Sequence, residues 1–161
     1  ARKGLTPNAA DRAQLQEIAD HCAGSARTAI QTLLGAATVA NERQGEMIRS
    51  ADIPEGYERA QRWIRQSHLE SLGFHHHDLY ELVRQAGEIS GETLHERYDE
   101  IAETIYEGRA ETPIDRRARR YKLEKIEEYD LIDDETQYTV MDQSVSSDLK
   151  IGLPARPQDS R

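Results

Sequence analysis

The chain has 161 residues, 30 acidic against 21 basic side chains, a formal charge of −9 and a single cysteine, Cys22. That length holds one domain or two small ones. One cysteine excludes an internal disulfide and a thiolate zinc cluster, and no run of about 18 apolar residues offers a membrane span. The negative total weighs against nucleic acid as a partner, because binding it requires positive charge.

Only four basic residues are lysine (Lys3, Lys122, Lys125 and Lys150), and the other 17 are arginine. An acid-rich, lysine-poor chain with one phenylalanine is expected of a protein working in concentrated salt, where screening shortens the reach of surface charge to a few ångströms. A start at Ala1 rather than Met is expected of a processed form or of a piece of a longer protein. No apolar segment of the signal-peptide kind follows it, so a cytoplasmic location is expected.

In chain order the reading is nearly all helix. Residues 9–22 place Leu15, Ile18, Ala19 and Cys22 at i, i+3, i+4 and i+7, one apolar face. Gly24 breaks that helix and Ser25 caps a second, which runs to about Gln44 with Ala29, Ile30, Leu33, Leu34, Ala37 and Val39 as its core side. A third helix covers 55–69, making a small helical bundle.

A second unit begins near Ser71–Phe74. Helix 75–86 carries Leu79, Tyr80, Leu82 and Val83, Gly87 ends it, and Ser90 caps the next helix to about Glu107. Thr112 or Asp115 starts another, from Ile114 to Tyr129, with Leu123 and Ile126 facing inward. Leu131-Ile132, the acidic turn Asp133-Asp134-Glu135-Thr136 and Gln137 to Met141 then alternate as a short β-hairpin does. Three helices and a hairpin in about 70 residues is the arithmetic of a winged helix. The predicted fold is mainly α, a helical bundle over 1–68 and a winged helix over 69–141. The stretch 142–161, rich in Ser, Asp and Pro, is expected to be a mobile tail.

Charge is unevenly spread along this order. Residues 116–122 hold five basic side chains in seven positions: Arg116, Arg117, Arg119, Arg120 and Lys122. On a helix Arg116, Arg119 and Arg120 share a face at i, i+3, i+4 spacing, with Arg117 beside it. This is the third helix of the candidate winged helix, the one whose N-terminal residues enter the major groove. Arginine forks suit both phosphates and guanine edges. The wing tip, Asp133-Asp134-Glu135, would instead repel a phosphate.

Gly24-Ser25-Ala26-Arg27 sets an arginine in the first turn of a helix, where it can project toward an anion. His75-His76-His77 does not make a metal site, because successive helical residues point about 100° apart. Cys22 lies on an apolar face and is expected to pack in the core. No GxxxxGK[ST] loop, GxSxG elbow or HExxH helix occurs in the sequence, so catalysis by this chain alone is not expected.

Taken in order, Ile18-Ala-Asp-His-Cys-Ala23, Gly24-Ser-Ala-Arg-Thr-Ala-Ile30 and Leu33-Leu-Gly-Ala-Ala37 resemble the lid subdomain of archaeal origin-recognition/cell-division-control initiators, which are AAA+ ATPases. Asp78 to Val83, Leu94 to Tyr98, Arg116 to Arg120, Leu123 to Ile126 and Tyr129 to Ile132 resemble the same family's winged helix. The low-lysine composition suits a haloarchaeal member. The resemblance covers roughly residues 1–141. It implies that Arg27 stands at the sensor-2 position, which reaches the ATP γ-phosphate, and that Arg116, Arg117, Arg119, Arg120 and Lys122 lie on the helix that binds origin DNA.

ATP with magnesium would belong to the full-length parent, whose nucleotide-binding loop lies upstream, and no cofactor is expected here. The implied partners are duplex origin DNA and a replicative helicase or other initiator subunits, with no membrane. Two departures from the family stand out: Ser25 where an acidic residue is usual, and an acidic wing where relatives carry Gly and Arg. Other readings left open are a winged-helix transcription regulator and a protein-interaction module docking through that wing.

Overall fold

The computed structural model describes residues 8–152. The chain divides into two compact units between Ile64 and Arg65.

In the first unit, α1 (Arg12–His21) opens on a capping box: the Asp11 carboxylate accepts the Gln14 amide at 2.8 Å, and the Gln14 side chain accepts the Asp11 amide at 3.0 Å. Gln14 also donates to the Ile48 carbonyl at 2.7 Å, which ties the loop after the second helix to α1. α2 (Ala26–Glu42) starts where Ser25 accepts the Thr28 amide, after Ala23 and Gly24 turn the chain with φ of 46° and 81°. α3 (Asp52–Glu70) follows, and the division between the units falls within it.

The face that α2 buries differs from the predicted one. Ile30 is 67% and Leu34 54% exposed, while Thr32, Gly35, Ala36 and Ala40 are buried; Leu15 on α1 is also exposed. The cause is the close approach of α2 to α3. A Cβ on Gly35 would overlap the Gly56 carbonyl oxygen, and a Cβ on Gly56 would overlap the Ala36 backbone nitrogen. Two helix backbones that touch through glycine turn their small-residue faces together, and the larger apolar side chains are carried outward. Ile18, Cys22, Ala36, Ala40, Ile48 and Ile53 form the core around that crossing, with Leu33 and Tyr57 packed against it.

The second unit runs α4 (Phe74–Ala86), β1 (Glu88–Ile89), α5 (Gly91–Tyr106), α6 (Arg116–Glu128), β2 (Ile132–Asp133) and β3 (Tyr138–Val140). The strands form one antiparallel sheet in the order β1-β3-β2, with Ile89 opposite Tyr138 and Ile132 opposite Val140. α4 is the central helix: Asp78 through Val83 are all buried, so no polar face remains over that stretch. Around it pack Leu94, Tyr98 and Ile101 of α5, Leu123 and Ile126 of α6, and Leu131 and Ile132. Burying each such aliphatic side chain contributes about 1.5–3 kcal/mol.

Two findings depart from the sequence reading here. β1 was not anticipated, because a two-residue strand between Gly87 and Ser90 has no periodicity of its own. It becomes a strand only by pairing with β3, some fifty positions later. Residues 142–152, expected as part of a mobile tail, are instead packed. Val145 and Ile151 are buried in the core, the Tyr80 hydroxyl donates to the Val145 carbonyl at 2.6 Å, and the Ser147 amide donates to the buried Glu81 carboxylate at 2.9 Å. The polar composition of this stretch hides two apolar anchors and a buried acceptor for its backbone. The remainder of the expected tail, 153–161, and the first seven residues lie outside the described residues.

Candidate nucleic-acid interface

α6 begins at Arg116 because Asp115 caps it, its carboxylate accepting the Ala118 amide at 2.8 Å. Pro113 two residues earlier keeps the incoming chain extended. With about 100° between successive residues, Arg119, Leu123 and Ile126 at i, i+4, i+7 form the buried face. Opposite them stand Arg117, Arg120, Tyr121 and Glu124, all exposed, with Arg116 at the first turn. Lys122 is half-buried on the flank.

Arg119 therefore does not belong to the outward basic face on which the sequence reading placed it. It is 5% exposed, and its guanidinium donates to Asp99 at 2.5 Å and to the Ile114 carbonyl at 2.9 Å. The guanidinium carbon also lies 3.8 Å from the centroid of the Tyr98 ring. The Tyr98 hydroxyl in turn accepts the Ile114 amide at 3.1 Å. Both backbone groups of Ile114 are thus held, and with them the approach of α6 to α5. The signal was available in the sequence: Arg119 has the same i, i+4, i+7 relation to Leu123 and Ile126 that marks a core position.

Beneath this contact lies a buried polar network. The Tyr106 hydroxyl donates to Asp78 at 3.1 Å and lies 2.8 Å from both the Tyr98 hydroxyl and the His75 Nδ1. Burial, outweighing the Tyr106 hydrogen bond and the nearby Arg119 and Arg109, pushes the Asp78 carboxyl up to about 6. Burial brings His76 down to about 4, helped by Lys122 and the neighbouring histidines. His77 donates to the Leu69 carbonyl at 2.6 Å. The histidine run is spent on packing and hydrogen bonding, and among the described residues no group of three or more His, Cys, Asp or Glu is placed to hold a metal.

At the other end of α6 the charge reverses. Glu124, Glu127 and Glu128 are followed by Asp133, Asp134 and Glu135 at the turn between β2 and β3. Partial desolvation and a hydrogen bond shared with Asp134 raise the Glu127 pKa, with repulsion from Asp133 and Glu124 adding to it. The acidic wing therefore folds against the acidic end of the helix, away from its basic N-terminal half. In the first unit, Arg27 is exposed in the first turn of α2, on the same outward stripe as Ile30, Gln31 and Leu34.

No protein-family model matches the chain. Over 149 residues, 89% of its length, it is 28% identical to the ORC1-type DNA replication protein 9 of Halobacterium salinarum. The chain thus resembles an archaeal ORC1-type DNA replication protein. It spans about 40% of the length of that relative. The fold also superposes on the Aeropyrum pernix ORC1 protein, solved in complex with DNA, with a TM-score of 0.59 and 15% identity over 87% of this chain and 39% of that one. The Aeropyrum pernix ORC2 protein, solved as ADPNP-ADP complexes, aligns at a TM-score of 0.42 and 19% identity. The mainly helical architecture with its small antiparallel sheet is thus shared with the matching part of the Aeropyrum pernix ORC1 protein, and the lysine-poor, acid-rich composition fits the halophilic source of the relative.

Proposed function

We propose that this chain is the lid and winged-helix part of an AAA+ replication initiator, and that α6 binds duplex DNA at origins. The observation that carries this reading is the exposed basic crest of Arg116, Arg117 and Arg120 at the start of α6, the third helix of a three-helix, three-strand unit. The relative's role as a DNA replication protein and the DNA bound to ORC1 of Aeropyrum pernix support DNA as the partner. The three arginines present forks to phosphates and guanine edges. Arg116 carries only a loose pair with Glu92 at 3.6 Å, which a phosphate can displace.

In the same reading Arg27 senses nucleotide state in the full-length parent. Its place in the first turn of α2, near the positive end of that helix, fits an anionic ligand. ATP with magnesium would be held by a loop outside this chain, and its γ-phosphate would supply the anion that Arg27 binds. This chain by itself would hydrolyse nothing.

Fluorescence anisotropy on an origin duplex and a shuffled duplex in concentrated potassium salt tests the proposal. Arg117→Ala and Arg120→Ala should each weaken origin binding by roughly tenfold, the worth of one good base or phosphate contact. Unchanged affinity in both variants would remove the role of α6. A second reading, docking of a helicase or another initiator subunit by the wing, is favoured by its acidic tip Asp133, Asp134 and Glu135, of which Asp133 and Asp134 stand close enough to Glu127 to raise its pKa. Neutralising those three residues would then abolish partner binding and leave DNA affinity intact.

A further inference from the structure

Tyr121 is the one large apolar side chain that α6 holds out to solvent, 58% exposed on an otherwise polar helix surface. It lies opposite Arg119, Leu123 and Ile126, so it contributes nothing to the core. One turn before it stands Arg117, whose Nη2 approaches the Tyr121 hydroxyl at 3.5 Å and whose guanidinium carbon lies 5.8 Å from the ring centroid. The pair forms the outermost crest of the helix, with Arg120 beside it and the acidic wing turned toward the far end.

From this we infer that Arg117 and Tyr121 form a sequence-reading pair in the major groove, Arg117 on a guanine and Tyr121 against the 5-methyl group of a thymine. The inference rests on the reading of α6 as the DNA-binding helix and names what that helix would select. The thymine methyl is the apolar feature that base edges show in the major groove, and the guanine O6 and N7 acceptors match an arginine fork. Four residues of helix advance about 6 Å. Base pairs stack about 3.4 Å apart, so guanine and thymine would lie within two base steps. An aromatic ring on the crest of a purely phosphate-binding helix would meet only charge and water. Against a methyl group it buries apolar surface on both partners. Arg116 and Arg120, to either side, would hold the backbone and set the helix depth.

The test starts from a random duplex library, from which the chain selects its preferred sequence in concentrated potassium chloride. Each thymine of that sequence is then replaced by deoxyuridine, which lacks the methyl group, and affinities are read by anisotropy. At one thymine, close to a required guanine, the wild-type chain should lose roughly fourfold, the worth of one buried methyl or methylene group. Tyr121→Ala should bind the thymine duplex as weakly as the wild type binds the deoxyuridine one, and should not distinguish the two. Tyr121→Phe should behave as wild type, since the ring rather than the hydroxyl makes the contact. Circular dichroism of both variants should match the wild type, as the side chain is exposed.

If no thymine position is sensitive to loss of its methyl group, or Tyr121→Ala retains that sensitivity, the pair does not read sequence. That result leaves DNA binding standing, provided Arg116→Ala and Arg120→Ala still weaken the complex. If the wild-type chain enriches no duplex and shows no DNA affinity, the proposed function itself falls.

Discussion

Arg119 and Arg117 are two positions apart and have opposite fates, which decides what substitution does at each. Arg119→Ala would remove a stacked guanidinium, the bond to Asp99 and the donor to the Ile114 carbonyl, all at a buried site. We expect a loss of about 2–3 kcal/mol in a thermal or denaturant unfolding experiment, from a charged hydrogen bond plus a desolvated cation–π contact. Arg117→Ala, at an exposed site, should stay within about 0.5 kcal/mol of wild type. Equal losses at both would mean that α6 is oriented otherwise.

The buried Asp78 supplies a second residue-scale expectation. Its folded pKa of about 6 lies above that of an ordinary carboxylate, so the native state binds the extra proton. Stability from this group is therefore full at low pH and falls as pH rises from about 4 to about 6. His76, depressed to about 4, acts in the opposite sense over an overlapping range. The difference between wild type and Asp78→Asn isolates the aspartate. It should move in favour of the variant as pH rises through that window and then level off. A flat difference would mean that Asp78 is not proton-linked to folding.

At the scale of elements, the caps and breaks were legible in the sequence, while the burial of α2 was not. Ser25, Ser90 and Asp115 each accept an amide of the first turn, as their residue types require, whereas the Asp11 cap of α1 lies inside the stretch read as helix from residue 9. α2 misled because Ile30 and Leu34 share the helical apolar spacing of Leu33, which does pack against the core, whereas the crossing is set by Gly35 and Gly56. Periodicity reports hydrophobicity and does not register a contact that needs the absence of a side chain. Gly56→Ala should accordingly lower the midpoint of thermal unfolding, an overpacking cost of about 1–3 kcal/mol. This opposes the gain of about 1 kcal/mol that alanine brings to an unconstrained helix position. A stabilised Gly56→Ala variant would show that the helices do not approach so closely. β1 and the 142–152 segment escaped for a related reason, since both are ordered by partners far away in sequence and carry no local pattern.

At the scale of the whole molecule, the formal charge of −9 is a poor guide to partners. The acid residues are spread over the surface and gathered at the wing, while the basic crest is confined to the start of α6. In concentrated salt the long-range field of the acid surface is screened within a few ångströms, so a local basic crest can act although the total is negative. The mainly helical fold with its small antiparallel sheet could be read from the order of caps and breaks. The inward turn of Arg119 shows that the arginine run overstated the number of groups free to meet DNA.

The most direct test of the account is the salt dependence of duplex binding by the wild-type chain and by Arg116→Ala, Arg117→Ala, Arg120→Ala and Arg119→Lys. Removing Arg116 or Arg120, which face the backbone, should flatten the slope of log affinity against log salt by about 1, whereas Arg117→Ala, at a base-reading position, should weaken binding with a smaller change of slope. Arg119→Lys should leave the slope unchanged, since its side chain faces Tyr98 and Asp99. A slope unaffected by the outward arginines, or one changed chiefly by Arg119→Lys, would contradict the assignment of DNA binding to the outer crest of α6.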